Sequence, residues 1–422
     1  MPLPMFRKAP GAPPRARSLP RFLPRLLAVV AVVLGTALAG PLPAARASVA
    51  LTEVSGFGSN PGALTMYVYR PASLPAHPPV VVALHGCTQS AQVYADNSGL
   101  PQLADRDGFL LVFAQTSTAN NPSQCFNWFQ TTDNRRGQGE ALSIRQMAGQ
   151  AVTAYGADPQ RIYVTGLSAG GAMTAVMLAT YPDVFSAGAI VAGLPYDCTK
   201  DNSPYVCMNP GVELSPAEWA QRVRDADPSY TGPWPRTAVW YGDQDTTVVP
   251  RNATELRDQW TALHGLTQNP TRTTTIGPDA TRQDQYLAAD GTVAVEVDRV
   301  PGIGHGTPVD PGTGTQQCGS TGAPYFPGSI CSSYWIARFF GLDTSDRGGG
   351  GGGGGTGGGG GGAACWTASN YAQVQAGRAT TSGGSTYAKG AQQNMGLYNT
   401  FVAHALKESP TGYYTIADNG CP

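Results

Sequence analysis

A serine, an aspartate and a histidine in suitable positions can together perform acyl transfer, and in this chain the serine is the easiest to place. Val164-Thr165-Gly166-Leu167-Ser168-Ala169-Gly170-Gly171 has the form Gly-x-Ser-x-Gly. It follows Arg161-Ile162-Tyr163-Val164, a β-branched and aromatic run that reads as a buried strand. Ala172 to Leu178 then continues in residues that favour a helix. Strand, glycine turn and helix together describe a nucleophile elbow, in which the serine oxygen stands clear at the sheet edge. The helix that starts there would aim backbone N–H groups, Ala169 first, at a developing oxyanion. The alternative is a small-residue turn that happens to contain serine.

A serine hydroxyl needs a base, and histidine suits that task near neutral pH. The chain has five histidines. His77 sits among prolines ahead of the first strong strand, His264 in a helical stretch and His404 near the C-terminus. His85 lies on a loop before the serine, where it is better suited to ordering that loop than to acting as a base. His305 remains, in Pro301-Gly302-Ile303-Gly304-His305-Gly306-Thr307, a glycine-flanked loop after the run Val293 to Val300. A structural loop histidine is the alternative reading. The imidazole needs a carboxylate to fix its tautomer, and Trp240-Tyr241-Gly242-Asp243-Gln244-Asp245 offers two. Asp245 is favoured, because Asp243 suits a turn residue that bonds local backbone. The order Ser168, Asp245, His305 is that of an α/β-hydrolase. A second oxyanion donor should come from the loop Leu84-His85-Gly86-Cys87-Thr88-Gln89, where the Cys87 N–H is the better candidate.

These groups need a scaffold, and the chain supplies an alternating one. Val80 to Leu84, Phe109 to Phe113, Ile162 to Thr165, Ala187 to Val191 and Thr237 to Tyr241 are short apolar runs of the parallel-sheet type. Gly139 to Tyr155, Ala169 to Thr180, Asn252 to His264 and Ser332 to Phe340 have helical composition. The expected fold is a mostly parallel sheet covered by helices on both faces. Trp128, on a cysteine-anchored loop between strand and helix, is placed to form a substrate wall or to be simply buried.

Residues 348–362 are fourteen glycines interrupted only by Thr356. Having no side chains to pack, they read as a tether spanning on the order of 20 Å. The expected organisation is a leader at 1–47, a catalytic domain at 48–343, a linker at 344–362 and a small module at 363–422. The leader reads from its basic, proline-interrupted start, the apolar run Leu26 to Leu38 and the cleavage signal Ala45-Arg46-Ala47. It carries seven basic residues and no acid, so the remainder is acidic against an overall formal charge of −1. That balance gives no reason to expect nucleic-acid binding. All eight cysteines fall after the leader, as in an exported, oxidised protein. Sequential pairing is expected: 87–125, 198–207, 318–331 and 365–421. No Cys-x-x-Cys spacing suggests a metal, and no cofactor is expected.

His85-Gly86-Cys87-Thr88-Gln89, Cys125-Phe126-Asn127-Trp128-Phe129, Gly166-Leu167-Ser168-Ala169-Gly170-Gly171-Ala172-Met173 and Gly304-His305-Gly306-Thr307-Pro308 resemble the extracellular poly(3-hydroxybutyrate) depolymerase and esterase family. The oxyanion loop precedes the serine, as in the family's non-permuted catalytic type. The resemblance implies an α/β-hydrolase fold with Ser168, Asp245 and His305 as triad. It extends to feruloyl and acetylxylan esterases. Cys365-Trp366-Thr367-Ala368-Ser369-Asn370-Tyr371, Ala376-Gly377-Arg378-Ala379 and Asn394-Met395-Gly396-Leu397-Tyr398 resemble the substrate-binding module of such depolymerases, with Gln373 where many relatives carry histidine. The expected substrate-binding residues are Trp128, His85, Tyr371 and Tyr398. The aromatic residues of the module suit adhesion to an insoluble surface, or they fill a small core. The resulting expectation is a secreted, monomeric serine esterase acting on an insoluble polyester, with no membrane attachment after leader removal. A cell-wall polysaccharide esterase and a non-catalytic adhesin are the alternatives.

Overall fold

In a computed structural model of the protein, residues 48–343, 365–397, 402–408 and 413–418 are described. The leader, the glycine tether, Tyr398 and Cys421 lie outside them. The chain divides into two compact units, residues 1–344 and 345–422.

The first unit is built on ten strands: β1 (Thr52–Val54), β2 (Thr65–Tyr69), β3 (Val80–Leu84), β4 (Leu110–Gln115), β5 (Ile162–Leu167), β6 (Ala187–Val191), β7 (Arg236–Gly242), β8 (Arg272–Ile276), β9 (Thr281–Leu287) and β10 (Val293–Val300). They form one sheet in the order β1-β2-β4-β3-β5-β6-β7-β10-β9-β8. Pairing from β4 through to β10 is parallel. Both edges are antiparallel. The parallel centre is why β3 is apolar throughout and β5 nearly so: each is buried on both faces.

Side chains of β3 show the division. Val80, Val82 and Leu84 join the core beneath α3 (Gly139–Tyr155), α4 (Ala169–Thr180), α6 (Pro216–Arg224) and α7 (Arg251–Leu263). Val81 and Ala83 face the opposite core, with α1 (Ala91–Ser98), α2 (Leu100–Asp107) and α8 (Ser332–Phe340). The remaining helix, α5 (Pro204–Met208), lies on a loop after β6. The expected layers are therefore present. The central strands and α3, α4 and α8 fall where the composition put them, while the edge strands β1, β2, β8 and β9 carry no comparable apolar run.

Three disulfides tie this unit: Cys87–Cys125, Cys198–Cys207 and Cys318–Cys331. They match the sequential pairing. The partner expected for Cys365 falls outside the described residues.

The second unit contains two three-stranded antiparallel sheets and α9 (Asn370–Gln375), on which Tyr371 lies. Its core is small, centred on Ala379, Ala388, Met395 and Leu406. Gln373 is buried there, donating from Nε2 to the carbonyls of Trp366 and His404 at 2.8 Å each. Its Oε1 accepts from Arg378 Nε at 2.6 Å, and Arg378 in turn lies over the Trp366 ring. Gln373 thus joins the module's pieces from inside. Trp366 also packs against Tyr414, and both rings are half-buried.

Candidate active site

Ser168 joins β5 to α4 with φ 58° and ψ −115°, a backbone conformation costly for any residue with a Cβ. The surroundings hold it there. Its N–H donates to Val191 O at 2.9 Å, and the glycines on either side allow α4 to begin tightly against β3. A Cβ on Gly170 would collide with Leu84 O, and one on Gly166 would sit 2.7 Å from the same oxygen. The strain and the glycines are one device for presenting the hydroxyl.

Asp245 follows β7 with its carboxylate shut away from solvent. Oδ1 accepts the N–H groups of Thr247 and Val248 at 2.8 and 2.9 Å. Oδ2 lies 2.7 Å from His305 Nδ1. That contact places the proton on Nδ1 and leaves Nε2 as the basic nitrogen. Among the described residues His305 is the one histidine lining the cavity that Ser168 also lines, a space of about 520 Å³.

The neighbouring Asp243 has another task. Its Oδ2 meets Arg299 at 2.9 Å, and its Oδ1 accepts Gly302 N–H at 2.8 Å. It does bond backbone, but across 59 residues rather than locally. Asp243 anchors the loop that carries His305.

Cys87 also lines the cavity. Its loop is tied to the opposite wall by the Cys125 disulfide and by Thr88 N–H donating to Ser123 O at 2.8 Å. Gly86 N–H is taken by Gln89 Oε1, while the Cys87 N–H has no acceptor among the described residues. Ala169 opens α4, so its N–H is one of the first-turn donors that a helix cannot satisfy itself. Two donors are therefore available beside Ser168.

His85 does not contact this cavity, which corrects its expected substrate-binding role. It is buried, with Nδ1 donating to Gly86 O at 2.8 Å and Nε2 accepting Thr116 N–H at 3.3 Å. Burial lowers its pKa to about 4, so it is neutral and knits the loop against Phe126. Trp128 is buried and lines the cavity beside Phe129. Its loop is held from below by Glu140, whose Oε2 accepts Asn127 N–H at 2.7 Å. Tyr371 has no described side chain and Tyr398 lies outside the described residues.

Sequence reasoning missed the cavity's outer rim. Tyr205 on α5 is 79% exposed and Tyr325 is 43% exposed, and both line the opening with Pro204, Met208 and Thr247. The Cys198–Cys207 bridge pins α5 in place, and that close cysteine pair was the one available signal. Among the described residues no cluster of His, Cys, Asp and Glu could hold a metal, and no helix is long and apolar enough to cross a membrane.

Comparison with known proteins identifies the family. Residues 63–282 match the family described as Esterase PHB depolymerase. The chain is 48% identical over 294 residues to poly(3-hydroxyalkanoate) depolymerase C of Paucimonas lemoignei, covering 69% of this chain and 70% of that one. It is 37% identical over 264 residues to an acetylxylan esterase of Coprinopsis cinerea, covering 61% and 69%. Among solved structures, an acetyl xylan esterase from Aspergillus awamori superposes with a TM-score of 0.59 at 26% identity, covering 70% of this chain and all of that one. With an α/β-hydrolase fold and this similarity, the chain belongs to the Esterase PHB depolymerase family.

Proposed function

We propose that the protein is a secreted, monomeric serine esterase that hydrolyses a water-insoluble polyester, poly(3-hydroxybutyrate) or another short-chain polyhydroxyalkanoate. The observation that carries the reading is the 48% identity to a poly(3-hydroxyalkanoate) depolymerase over most of the first unit, joined to a cavity lined by both Ser168 and His305. Three disulfides and the leader-like start support export.

In this mechanism His305 Nε2 takes the Ser168 proton as Oγ bonds to the ester carbonyl carbon. The N–H groups of Ala169 and Cys87 hold the oxyanion. As the tetrahedral adduct collapses, the carbon–oxygen bond to the alcohol breaks and His305 returns its proton to that alcohol. Water, deprotonated by His305, then attacks the acyl-enzyme. The acid departs and Ser168 regains its proton. Asp245 stabilises the imidazolium in both halves. The second unit, on its glycine tether, would hold the enzyme at the polymer surface and raise its local concentration.

Cleavage of acetyl or feruloyl groups from plant polysaccharide is the second reading. It is favoured by the acetylxylan esterase relative and by a feruloyl esterase B of Talaromyces stipitatus at 35% identity. The deciding experiment compares clearing of a poly(3-hydroxybutyrate) suspension with release of acetate from acetylxylan and ferulate from feruloylated xylan, with Ser168→Ala as control. Clearing dependent on Ser168 supports the polyester. Serine-dependent release from xylan without clearing replaces that reading with the second.

A further inference from the structure

A second cavity, of about 300 Å³, opens at the end of the sheet opposite to Ser168, where β7, β8 and β10 begin. Its lining includes Arg236, Arg272, Arg338, Gln283, Gln285 and Glu296. Arg236 is half-buried, with its guanidinium 4.7 Å from the Phe339 ring centre. Yet that guanidinium makes no hydrogen bond or ion pair with any described residue. Its fork of five N–H donors is open to the cavity with no described side chain hydrogen-bonded to it, so an entering acceptor would find it unengaged.

Glu296 attracts the guanidiniums of Arg236 and Arg272 without hydrogen-bonding to Arg236, and the other neighbours are engaged elsewhere. Gln285 Oε1 is occupied by Arg272, through Nε at 2.8 Å and through Nη2. Gln285 Nε2 donates to Glu296 Oε2 at 2.5 Å, and Gln283 Nε2 donates to Asp298 Oδ1 at 3.0 Å. The carboxyls of Glu296 and Asp298 lie two residues apart on β10, both buried. Burial raises both pKa values, and mutual repulsion raises that of Asp298 further. Arg338 lies beside Asp343 at 3.7 Å. The cavity is thus rich in donors and positive charge and poor in free acceptors.

We propose that this cavity is a binding site for a small oxyanion, a carboxylate or a phosphate, received by the guanidinium of Arg236 with Arg272 completing the grip. The chemistry follows from the donor set: a planar fork held against an aromatic ring meets two coplanar oxygens in parallel hydrogen bonds. The anion would come either from inorganic phosphate or from a short hydroxy acid. The site stands apart from Ser168 and does not depend on which ester is cleaved.

The test is thermal unfolding of the full-length protein in sodium phosphate, in sodium 3-hydroxybutanoate and in sodium chloride, at matched pH and ionic strength. At about a hundred-fold excess over Kd, the melting temperature should rise by roughly 3–6 °C above the chloride control in one or both oxyanions. A rise in phosphate alone assigns the site to phosphate, and a rise in the hydroxy acid alone assigns it to a carboxylate. Arg236→Gln should abolish the rise, and Arg272→Gln, at the exposed edge of β8, should weaken apparent affinity about ten-fold. Both variants should hydrolyse a soluble ester at the unaltered rate. If Arg236→Gln does not fold, calorimetric titration of wild type against Arg272→Gln decides. Equal melting in chloride and both oxyanions, or a rise undiminished in either variant, overturns the proposal.

Discussion

Asp243 and Asp245 stand two residues apart after one strand, yet they hold opposite ends of the same loop. Asp245 grips the His305 ring at Nδ1, while Asp243 grips the loop backbone at Gly302 and the side chain of Arg299. Their substitutions should separate accordingly. Asp245→Asn can place an amide N–H against Nδ1 and stabilise the wrong tautomer, so kcat should fall on the order of 10⁴-fold. Asp243→Asn keeps an acceptor for Gly302 and loses only a partly exposed ion pair, so kcat should stay within about ten-fold. Steady-state rates on a soluble short-chain ester check both, and the reverse ranking would reassign the carboxylate.

Ser168→Ala should lower turnover on the order of 10⁶-fold, because removing one member of a triad disables the unit. The change also relieves no strain, since alanine keeps the Cβ that makes φ 58° costly. The variant should therefore melt close to wild type. A fluorophosphonate should modify wild type at Ser168 and leave the variant unlabelled, as read by peptide mass spectrometry.

The Cys87–Cys125 bridge closes a 38-residue span between the two walls of the cavity. Loop-closure entropy for such a span is roughly 4 kcal/mol. Replacing both cysteines with alanine should destabilise the protein by up to that amount in urea unfolding. Because Cys87 N–H is the second oxyanion donor of the proposed mechanism, kcat should fall as well. If stability drops while kcat is unchanged, the bridge is not what holds the residue 87 N–H in its working position.

The parts of the molecule that were legible in the sequence are those in which one segment meets its whole environment alone. β3 is apolar because both its faces are buried, and the Ser168 elbow needs its glycines for local reasons, so each announces itself. β8 and β9, by contrast, read Arg-Thr-Thr-Thr-Ile and Thr-Arg-Gln-Asp-Gln-Tyr-Leu. They lie at or next to a sheet edge, where exposure removes the apolar run. α1 and α2 are separated by Gly99 alone, at φ 80°, too short a break to read as two helices. In the candidate site, scarcity of histidine pointed to His305. Nothing local could show that Asp243 reaches Gly302, that Phe126 buries His85, or that Tyr205 and Tyr325 border one opening. Those relations exist only once the chain is folded.

Burial beneath the cavity wall pushes the Glu140 carboxyl up to about 8. A carboxyl with a higher pKa folded than unfolded binds more protons in the folded state, so its contribution to stability declines as pH rises from the ordinary carboxylate range towards 8. Within that window one such group removes about 1.4 kcal/mol per pH unit. Glu255, raised by burial to about 7, acts with the same sign. Melting temperature should therefore fall from pH 5 to pH 8.5. Glu140→Gln mimics the protonated form and retains an acceptor for Asn127 N–H, so its profile should be flatter than that of wild type. Parallel profiles would show that Glu140 does not titrate in this range.

The second unit offers a test that needs no deletion. Gln373 satisfies two carbonyls and an arginine N–H inside the module. Leaving each such group unpaired costs about 1–3 kcal/mol, a large fraction of what so small a core can supply. Gln373→Ala should therefore unfold the module while the first unit, whose own core is far larger, stays folded. On a soluble ester the variant should match wild type. On solid polymer it should adsorb weakly and clear a suspension much more slowly, as should a chain ended at Thr344, because both lose the attachment that raises local concentration. If either protein clears solid polymer as fast as the intact chain, the module is not the attachment device. The exposed Tyr205 and Tyr325 around the cavity would then be the first place to look for it.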